Sequence, residues 1–186
     1  MATAPSSYLL NLTMFKKLIK KTLSILALEL DHLRQETEIY NMMNSFRKCG
    51  KDVELCYPFD IRLPENIVIG DRVFIGPKIT IGAWPEGNVI IEDDVLIGPD
   101  VSIFGGDHEY SKMDKEIKNS GYGRVEPVII KKGAWIGAKA IILRGVTVGK
   151  GAVIAAGSVV VKEIPEYEIW GGNPAKFLKK RSKHEK

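Results

Sequence analysis

His108 is the residue whose type and surroundings most directly offer chemistry. It is one of three histidines and lies in the segment GGDHEYSK, residues 105–112, between Asp107 and Glu109. An imidazole titrates near neutral pH, so it can take a proton from a hydroxyl or an amine as that group attacks an electrophile. Asp107, Glu109 or a backbone carbonyl could orient the ring, and the residues alone leave these alternatives open.

The residues on either side of this segment repeat with a period of six. Aliphatic residues occupy Leu63, Ile69, Ile75 and Ile81; Ile91, Ile97 and Ile103; and Ile130, Ile136, Ile142, Val148, Ile154 and Val160. Four positions after an aliphatic stands a small or branched residue, as at Ile67, Val73, Ile79, Val95, Val101, Ala134, Ala140, Val146, Ala152 and Ser158. This period matches neither a helix nor a meander of long strands, but it matches a short strand followed by a corner.

The repeat predicts an all-β core built as a parallel β-helix. Three six-residue units make one triangular coil of about 18 residues, and each coil buries its apolar row against the next. An ordinary β-sandwich is the alternative, which the unbroken phase from residue 130 to residue 160 disfavours. Glycines such as Gly137, Gly149 and Gly157 are expected at the corners, where a Cβ atom would hinder the turn.

Two breaks in the phase show where the coil is interrupted. The step from Ile81 to Ile91 predicts a small corner loop, and the step from Ile103 to Ile130 predicts a long excursion over residues 104–127. A long loop held by a rigid frame is a typical place for function. His108 lies on that excursion, where Gly105 and Gly106 could let backbone N–H groups approach an oxyanion.

Helical segments are predicted at both ends of the coil. The domain boundaries are 1–48 for an N-terminal helical segment, 49–170 for the β-helix with its excursion, and 171–186 for a short basic C-terminal helix and tail. The N-terminal helix is expected to cover the open end of the coil, because exposed strand edges must be protected. Weak contact with a membrane surface is the alternative, since lysines alternate with apolar residues there.

Composition excludes several classes of protein. The net charge of +4 is mild, and its terminal clustering does not favour nucleic-acid binding. No apolar run is long enough to span a membrane. Cys49 and Cys56 are expected to be free thiols in a reducing cytoplasm, and without matched histidines they make a poor metal site, so no metal is expected.

Three further motifs add a resemblance to a known family. AWIGAKA (134–140), IAAGSVVVKEIP (154–165) and GGNPAKFLKK (171–180), with the six-residue repeat, resemble the hexapeptide-repeat acyltransferases, in particular the sugar, polysaccharide and xenobiotic O-acetyltransferases. The resemblance covers residues 50–175 approximately. It implies a left-handed β-helix, His108 as the general base, acetyl-coenzyme A as co-substrate, and a homotrimer with active sites between subunits.

The resemblance also assigns binding residues. It implies that the coenzyme contacts Trp135, Ala138, Ala156, Val161, Lys162, Lys176 and Lys179. Lysine binds the phosphates of such a coenzyme as a point charge. Loop position alone makes Trp84, Phe104, Asp107 and Tyr110 candidates for contact with the acceptor, because aromatic faces stack on sugar rings.

The predicted function is transfer of acetyl to a hydroxyl of a saccharide or surface-polysaccharide precursor. Gly76 and Ala83 stand where galactoside and maltose enzymes tend to have asparagine and aspartate, which disfavours a simple galactoside acceptor. An N-acetyltransferase acting on a nucleotide sugar or amino sugar is the near alternative, and a trimeric scaffold without activity is another. A zinc carbonic anhydrase on the same coil would need three converging histidines, and the three here are scattered.

Overall fold

The protein divides into two units in a computed structural model that describes residues 6–85 and 87–182. The units are residues 1–40 and 41–186. Residues 1–5 of the predicted N-terminal segment and 183–186 of the predicted tail lie outside the described residues.

A single long helix dominates the first unit. Helix α1 (Ser6–Ser45) is continuous, and the predicted N-terminal helical segment therefore forms one helix. Pairs four residues apart support it, including Arg34 with Glu38 and Gln35 with Asp31. Across the described ranges, no helix is both long enough and apolar enough to cross a bilayer.

Three sheets form the walls of the second unit, and their strands are parallel except for the last strand of the second sheet. The first sheet contains β1 (Lys48–Cys49), β4 (Ile67–Ile69), β7 (Val89–Ile91), β12 (Val128–Ile130) and β15 (Thr147–Val148). The second contains β2 (Glu54–Leu55), β5 (Phe74–Ile75), β8 (Leu96–Ile97), β13 (Trp135–Ile136), β16 (Val153–Ile154), β18 (Glu168–Gly171) and β19 (Lys176–Lys180). The third contains β3 (Phe59–Arg62), β6 (Ile79–Gly82), β9 (Ser102–Phe104), β14 (Ile141–Ile142) and β17 (Val159–Val160).

The six-residue repeat is confirmed as the register of these sheets. Ile75, Ile97, Ile136 and Ile154 lie directly opposite one another on successive coils. The predicted aliphatic rows from Ile69 to Val160 and the predicted small or branched positions are all fully buried. The interior is therefore a dry stack of isoleucine, valine and alanine, and its rigidity fixes the loops that leave the coil.

Leu63 is an exception, and its predicted place in the buried row is wrong. Its side chain is exposed and its backbone is left-handed, with φ 54°. Ile61 fills the interior instead and lies opposite Ile81. A short 3₁₀ helix, Pro64–Asn66, follows Leu63 and takes up the two extra residues, so the strict phase begins only at Ile67.

The predicted short C-terminal helix is also wrong. Residues Lys176–Lys180 form strand β19, which pairs antiparallel with β18. The ring of Phe177 packs edge-on against Trp170, with 6.4 Å between centroids. The last coil would otherwise leave the hydrogen-bonding groups of β18 unpaired, and a five-residue segment satisfies them better as a strand than as a short helix.

The excursion between β9 and β12 contains a small antiparallel hairpin. Its strands are β10 (Gly106–His108) and β11 (Tyr122–Val125), and a 3₁₀ turn, Ile117–Asn119, lies between them.

Cys49 and Cys56 are both free, and partial burial raises the pKa of each thiol.

Candidate active site

His108 is positioned by the hairpin and by the coil beneath it. It ends β10 and lies opposite Tyr122 on β11. The start of the hairpin is fixed to the coil because the Gly105 N–H donates to the carbonyl of Gly82 at 2.9 Å. That bond occupies the Gly105 N–H, so this group is not free to stabilise an oxyanion as the sequence suggested. The imidazole itself is exposed to solvent.

Trp84, on the small corner loop, forms one wall of the site. Its ring meets His108 edge-on with 6.1 Å between centroids, and meets Tyr122 edge-on at 4.6 Å. Asn66 donates from Nδ2 to the Trp84 carbonyl at 3.1 Å, which anchors the corner loop. Gly106 makes room for the indole, because a Cβ atom at that position would lie 2.7 Å from the ring.

An ion-pair clamp fixes the residue beside His108. The Nε of Arg144 donates to Oδ2 of Asp107 at 2.8 Å, and its Nη1 lies 3.6 Å from Oε2 of Glu126. Arg144 stands in the corner between β14 and β15, whereas the two carboxylates stand near the start and the end of the excursion. The second oxygen of Asp107, Oδ1, is buried without a hydrogen-bond partner among the described residues.

Glu109, on the other side of His108, is held by its own loop. Its Oε1 accepts from the backbone N–H and from the hydroxyl of Ser111, each at 2.7 Å. These hydrogen bonds favour the ionised carboxylate and lower its pKa. Within the described ranges, neither neighbouring carboxylate is hydrogen-bonded to the imidazole of His108, so the ring is placed by the hairpin and by Trp84.

Two cavities flank the hairpin. One, of about 390 Å³, is lined by Asp107, His108, Glu109, Tyr110, Ser111, Gly123, Arg124 and Arg144. The other, of about 350 Å³, is lined by Trp84, Pro85, Tyr122, Gly123 and Val125. One cavity is rich in charged groups and includes His108 in its lining, the other is rich in aromatic groups and includes Trp84, and the two rings meet edge-on. Such a site can hold a polar acceptor against an aromatic face while a base reaches its hydroxyl.

The predicted acceptor residues largely converge on this hairpin. Trp84, Asp107 and Tyr110 line the two cavities with His108. Phe104 is half-buried at the end of β9, opposite Gly82, and is not among the described residues that line either cavity. Arg144, Glu126 and Tyr122 were not predicted. The sequence offered no signal for Arg144, which lies inside an unbroken run of the repeat.

The predicted coenzyme residues lie apart from this hairpin, on the walls and corners of the coil. Trp135 projects outward from the second sheet and is 51% exposed. Ala138 and Ala156 occupy the same corner on successive coils, where the Gly157 N–H donates to the Ala138 carbonyl at 2.8 Å. None of the predicted coenzyme residues is among the described residues lining the cavities beside His108.

The remaining coenzyme candidates lie on the last coil. Val161 is exposed, and Nζ of Lys162 lies 5.1 Å from the centroid of the Trp170 ring. Lys176 and Lys179 are exposed on β19, opposite Gly171 and Ile169. Among the described residues, no three metal-ligating side chains form a group.

Comparison with known proteins places this architecture in a family. The family model described as bacterial transferase hexapeptide (six repeats) matches residues 127–162. A Staphylococcus aureus (strain COL) protein named as an acetyltransferase is 30% identical over 157 residues, which are 82% of this chain and 75% of that protein. The chain belongs to the hexapeptide-repeat acetyltransferases. A further relative so named, from strain Mu50 of the same species, is 32% identical over 135 residues, and this chain spans 65% of its length.

Solved structures of hexapeptide-repeat acetyltransferases share the fold. The Vibrio cholerae hexapeptide-repeat acetyltransferase in complex with acetyl-coenzyme A has a TM-score of 0.69 and 30% identity, over 78% of this chain and 77% of that chain. A galactoside acetyltransferase in complex with coenzyme A has a TM-score of 0.66 and 26% identity, over 80% and 79%. The predicted parallel β-helix is therefore confirmed as the fold of this chain, and the likeness to these structures is consistent with the predicted left-handed sense.

Proposed function

We propose that this protein transfers an acetyl group from acetyl-coenzyme A to a hydroxyl of a saccharide or polysaccharide precursor. The observation that carries the proposal is an exposed imidazole that lines a charged cavity and meets the Trp84 wall of a neighbouring aromatic cavity, on the long excursion of a hexapeptide coil. Two similar structures contain acetyl-coenzyme A or coenzyme A, which supports this acetyl donor.

His108 acts as the general base in this proposal. Its unprotonated ring nitrogen takes the proton of the acceptor hydroxyl while the oxygen attacks the thioester carbonyl. The tetrahedral adduct then expels the coenzyme A thiolate, which receives that proton from the imidazolium. The products are the acetyl ester and free coenzyme A, and the histidine is regenerated. A base placed in this way contributes about 10²–10⁴-fold in rate.

The coenzyme site is proposed to lie between neighbouring subunits of a trimer. The predicted contacts from Trp135 to Lys179 are separated from His108 within one protomer, so a second copy would bring the two sets together. Phe74, Leu96 and Trp135 form one outward column on successive coils, and such an apolar wall supports packing against another copy. Sedimentation equilibrium measures the mass directly, and a monomer under assay conditions would contradict this arrangement.

The aromatic cavity supports a saccharide acceptor. Trp84 and Tyr122 present rings at right angles beside His108, and a sugar ring can lie against such faces while its hydroxyls contact the charged cavity. Asp107 and Tyr110 are proposed to contact the acceptor from that side.

A thiol-release assay tests this proposal. Acetyl-coenzyme A is incubated with the protein and a panel of glycosides, oligosaccharides, nucleotide sugars and amino sugars, and free coenzyme A is measured. His108→Ala is expected to lower turnover by about 10²–10⁴-fold. His32→Ala is the matched control, because His32 is also an exposed histidine but lies on α1, and it should retain full turnover.

Two results would overturn the proposal. A folded His108→Ala variant with undiminished turnover would show that His108 is not the general base. A protein that releases no coenzyme A with any acceptor would show that it lacks the proposed activity. If acetyl is transferred to amines alone, the acceptor is an amino sugar and not a hydroxyl of a saccharide.

A further inference from the structure

Helix α1 carries an exposed apolar face over residues 14–26. At about 3.6 residues per turn, its apolar side chains fall within one half of the helix circumference. They are Met14, Phe15, Leu18, Ile19, Leu23, Ile25 and Leu26, and all of them are exposed. The one polar residue on this face is Thr22, whose hydroxyl donates to the Leu18 carbonyl at 3.1 Å, so the face presents no unsatisfied donor.

Four lysines occupy the opposite half of the same turns. Lys16, Lys17, Lys20 and Lys21 lie within six residues, and the described part of the chain gives none of them an ion-pair partner. Residues 14–26 contain no acidic side chain that could compensate these four charges. The helix therefore combines an uncovered apolar face with an uncompensated basic face.

We infer that residues 14–26 of α1 bind the surface of a membrane that contains anionic lipid. The apolar face would lie among the acyl chains near the interface, with the helix parallel to the bilayer. The lysines occupy the opposite half of the helix, and their long aliphatic stems allow the ammonium groups to reach anionic headgroups. The charge complementarity between four unpaired lysines and acidic lipid identifies the occupant, and the inference does not depend on acetyl transfer.

A second copy of the helix fits this surface less well. Glu29 and Glu36 lie on the continuation of the apolar face, so a longer helix pair would bury carboxylates. A pair restricted to residues 14–26 would be less than four turns long and would leave the four lysines of each copy uncompensated on its outer side. A lipid surface avoids both costs, because it can contact residues 14–26 without burying the carboxylates of Glu29 and Glu36.

Vesicle flotation of the full-length protein tests the inference. Vesicles of phosphatidylcholine with an equal part of phosphatidylglycerol are compared with vesicles of phosphatidylcholine alone. Wild type is expected to float with the anionic vesicles and to bind much more weakly to the neutral ones. Removing lysines should weaken the binding constant by about fivefold for each charge, since a basic residue near an anionic surface contributes about 1 kcal/mol.

Two variants and one control separate the contributions. The first variant replaces Lys16, Lys17, Lys20 and Lys21 with glutamine, and the second replaces Phe15 and Leu18 with serine. The control removes the same number of lysines from the second unit, by Lys51→Gln, Lys78→Gln, Lys115→Gln and Lys150→Gln. Both helix variants are expected to stay in the bottom fraction while the control floats like wild type, and circular dichroism verifies that α1 is intact.

Three outcomes would overturn the inference. If the wild-type protein does not float with anionic vesicles, residues 14–26 do not bind a membrane surface. If the helix variants float like wild type, the lipid is bound by another part of the protein. A lower molecular mass of the Phe15→Ser/Leu18→Ser variant in the absence of vesicles would identify the face as an interface between copies of the chain.

Discussion

The carboxylate of Asp107 is bonded to Arg144 and not to the adjacent His108. Nε of Arg144 donates to Oδ2 of Asp107 at 2.8 Å, and the two side chains are 22% and 36% exposed. The pair joins the residue before His108 to a coil corner that the packed interior holds rigid. Its effect on the imidazole is therefore exerted through the backbone of the hairpin.

The first prediction concerns this ion pair. Arg144→Gln is expected to lower kcat by about 10–100-fold while the KM for acetyl-coenzyme A stays nearly constant, because a small displacement of a catalytic group is costly. Arg144→Lys should recover only part of kcat, since an ammonium lacks the planar fork of the guanidinium. Steady-state kinetics and a urea unfolding curve provide both readouts.

Arg72→Gln is the matched control for that prediction. Arg72 makes a comparable pair with Asp94, with Nε to Oδ1 at 2.6 Å, but this pair joins two coil corners and does not reach the excursion. It should lose little stability, because exposed ion pairs contribute little, and it should keep its kcat. Equal kcat values for the Arg144 and Arg72 variants would show that the clamp does not position His108.

The second prediction concerns the close approach of Gly106 to Trp84. In Gly106→Ala the new methyl would lie 2.7 Å from the indole, so the ring must move away. We expect a loss of about 1–3 kcal/mol in the free energy of unfolding, as for other overpacked sites, and a red shift of Trp84 emission. The Trp84→Phe variant isolates that emission by difference.

Gly82→Ala serves as the control because its Cβ would meet the ring edge of Phe104 at the milder distance of 3.2 Å. An unchanged Trp84 spectrum in Gly106→Ala would mean that the indole does not pack on this backbone in solution.

The coil could be predicted because its period is enforced by packing. Each buried position from Ile69 to Val160 repeats the same interior environment. The six-residue spacing in the sequence is therefore enough to predict which side chains face the interior. The prediction was wrong at Leu63, where two extra residues enter a 3₁₀ turn and the neighbouring Ile61 takes the interior place. It was wrong again at residues 176–180, whose strand depends on an edge that only the finished coil presents.

The site could be predicted only in part, for a related reason. His108 and Trp84 lie where the period breaks, so the sequence itself marks their loops. Arg144 lies inside an unbroken run of the repeat, and its partners Asp107 and Glu126 are bonded to it only after the excursion folds back on the coil. The spacing of the residues carries no signal for such a contact.

The third prediction concerns the stacked interior. Ile136 is fully buried between Ile97 and Ile154 on the adjacent coils. Ile136→Ala is expected to cost about 2–5 kcal/mol, because the hydrogen-bonded ladder prevents neighbouring coils from closing the cavity. Urea unfolding measures the change.

Ile141→Ala is the comparison, since Ile141 has the same side chain on the outer surface of the third sheet and is only half-buried. A cost for Ile136→Ala no larger than that for Ile141→Ala would contradict a rigid, close-packed core.

The fourth prediction concerns acid stability at one coil corner. Arg72 donates a hydrogen bond to Asp94, and with Lys132 nearby this lowers the pKa of Asp94 to about 2. The ordinary aspartate pKa is about 3.9, so the folded state holds the ionised carboxylate more strongly than the unfolded chain does. The stabilisation is therefore complete above about pH 4 and is lost as the pH falls toward 2. In Asp94→Asn this loss should disappear, and the melting temperature should fall less steeply over the same pH interval than in wild type.

Asp100→Asn is the matched control, because Asp100 has the same left-handed backbone, with φ 58° against 59°, and makes no side-chain ion pair within the described residues. Identical pH profiles for wild type and Asp94→Asn would show that the corner ion pair is not formed in solution.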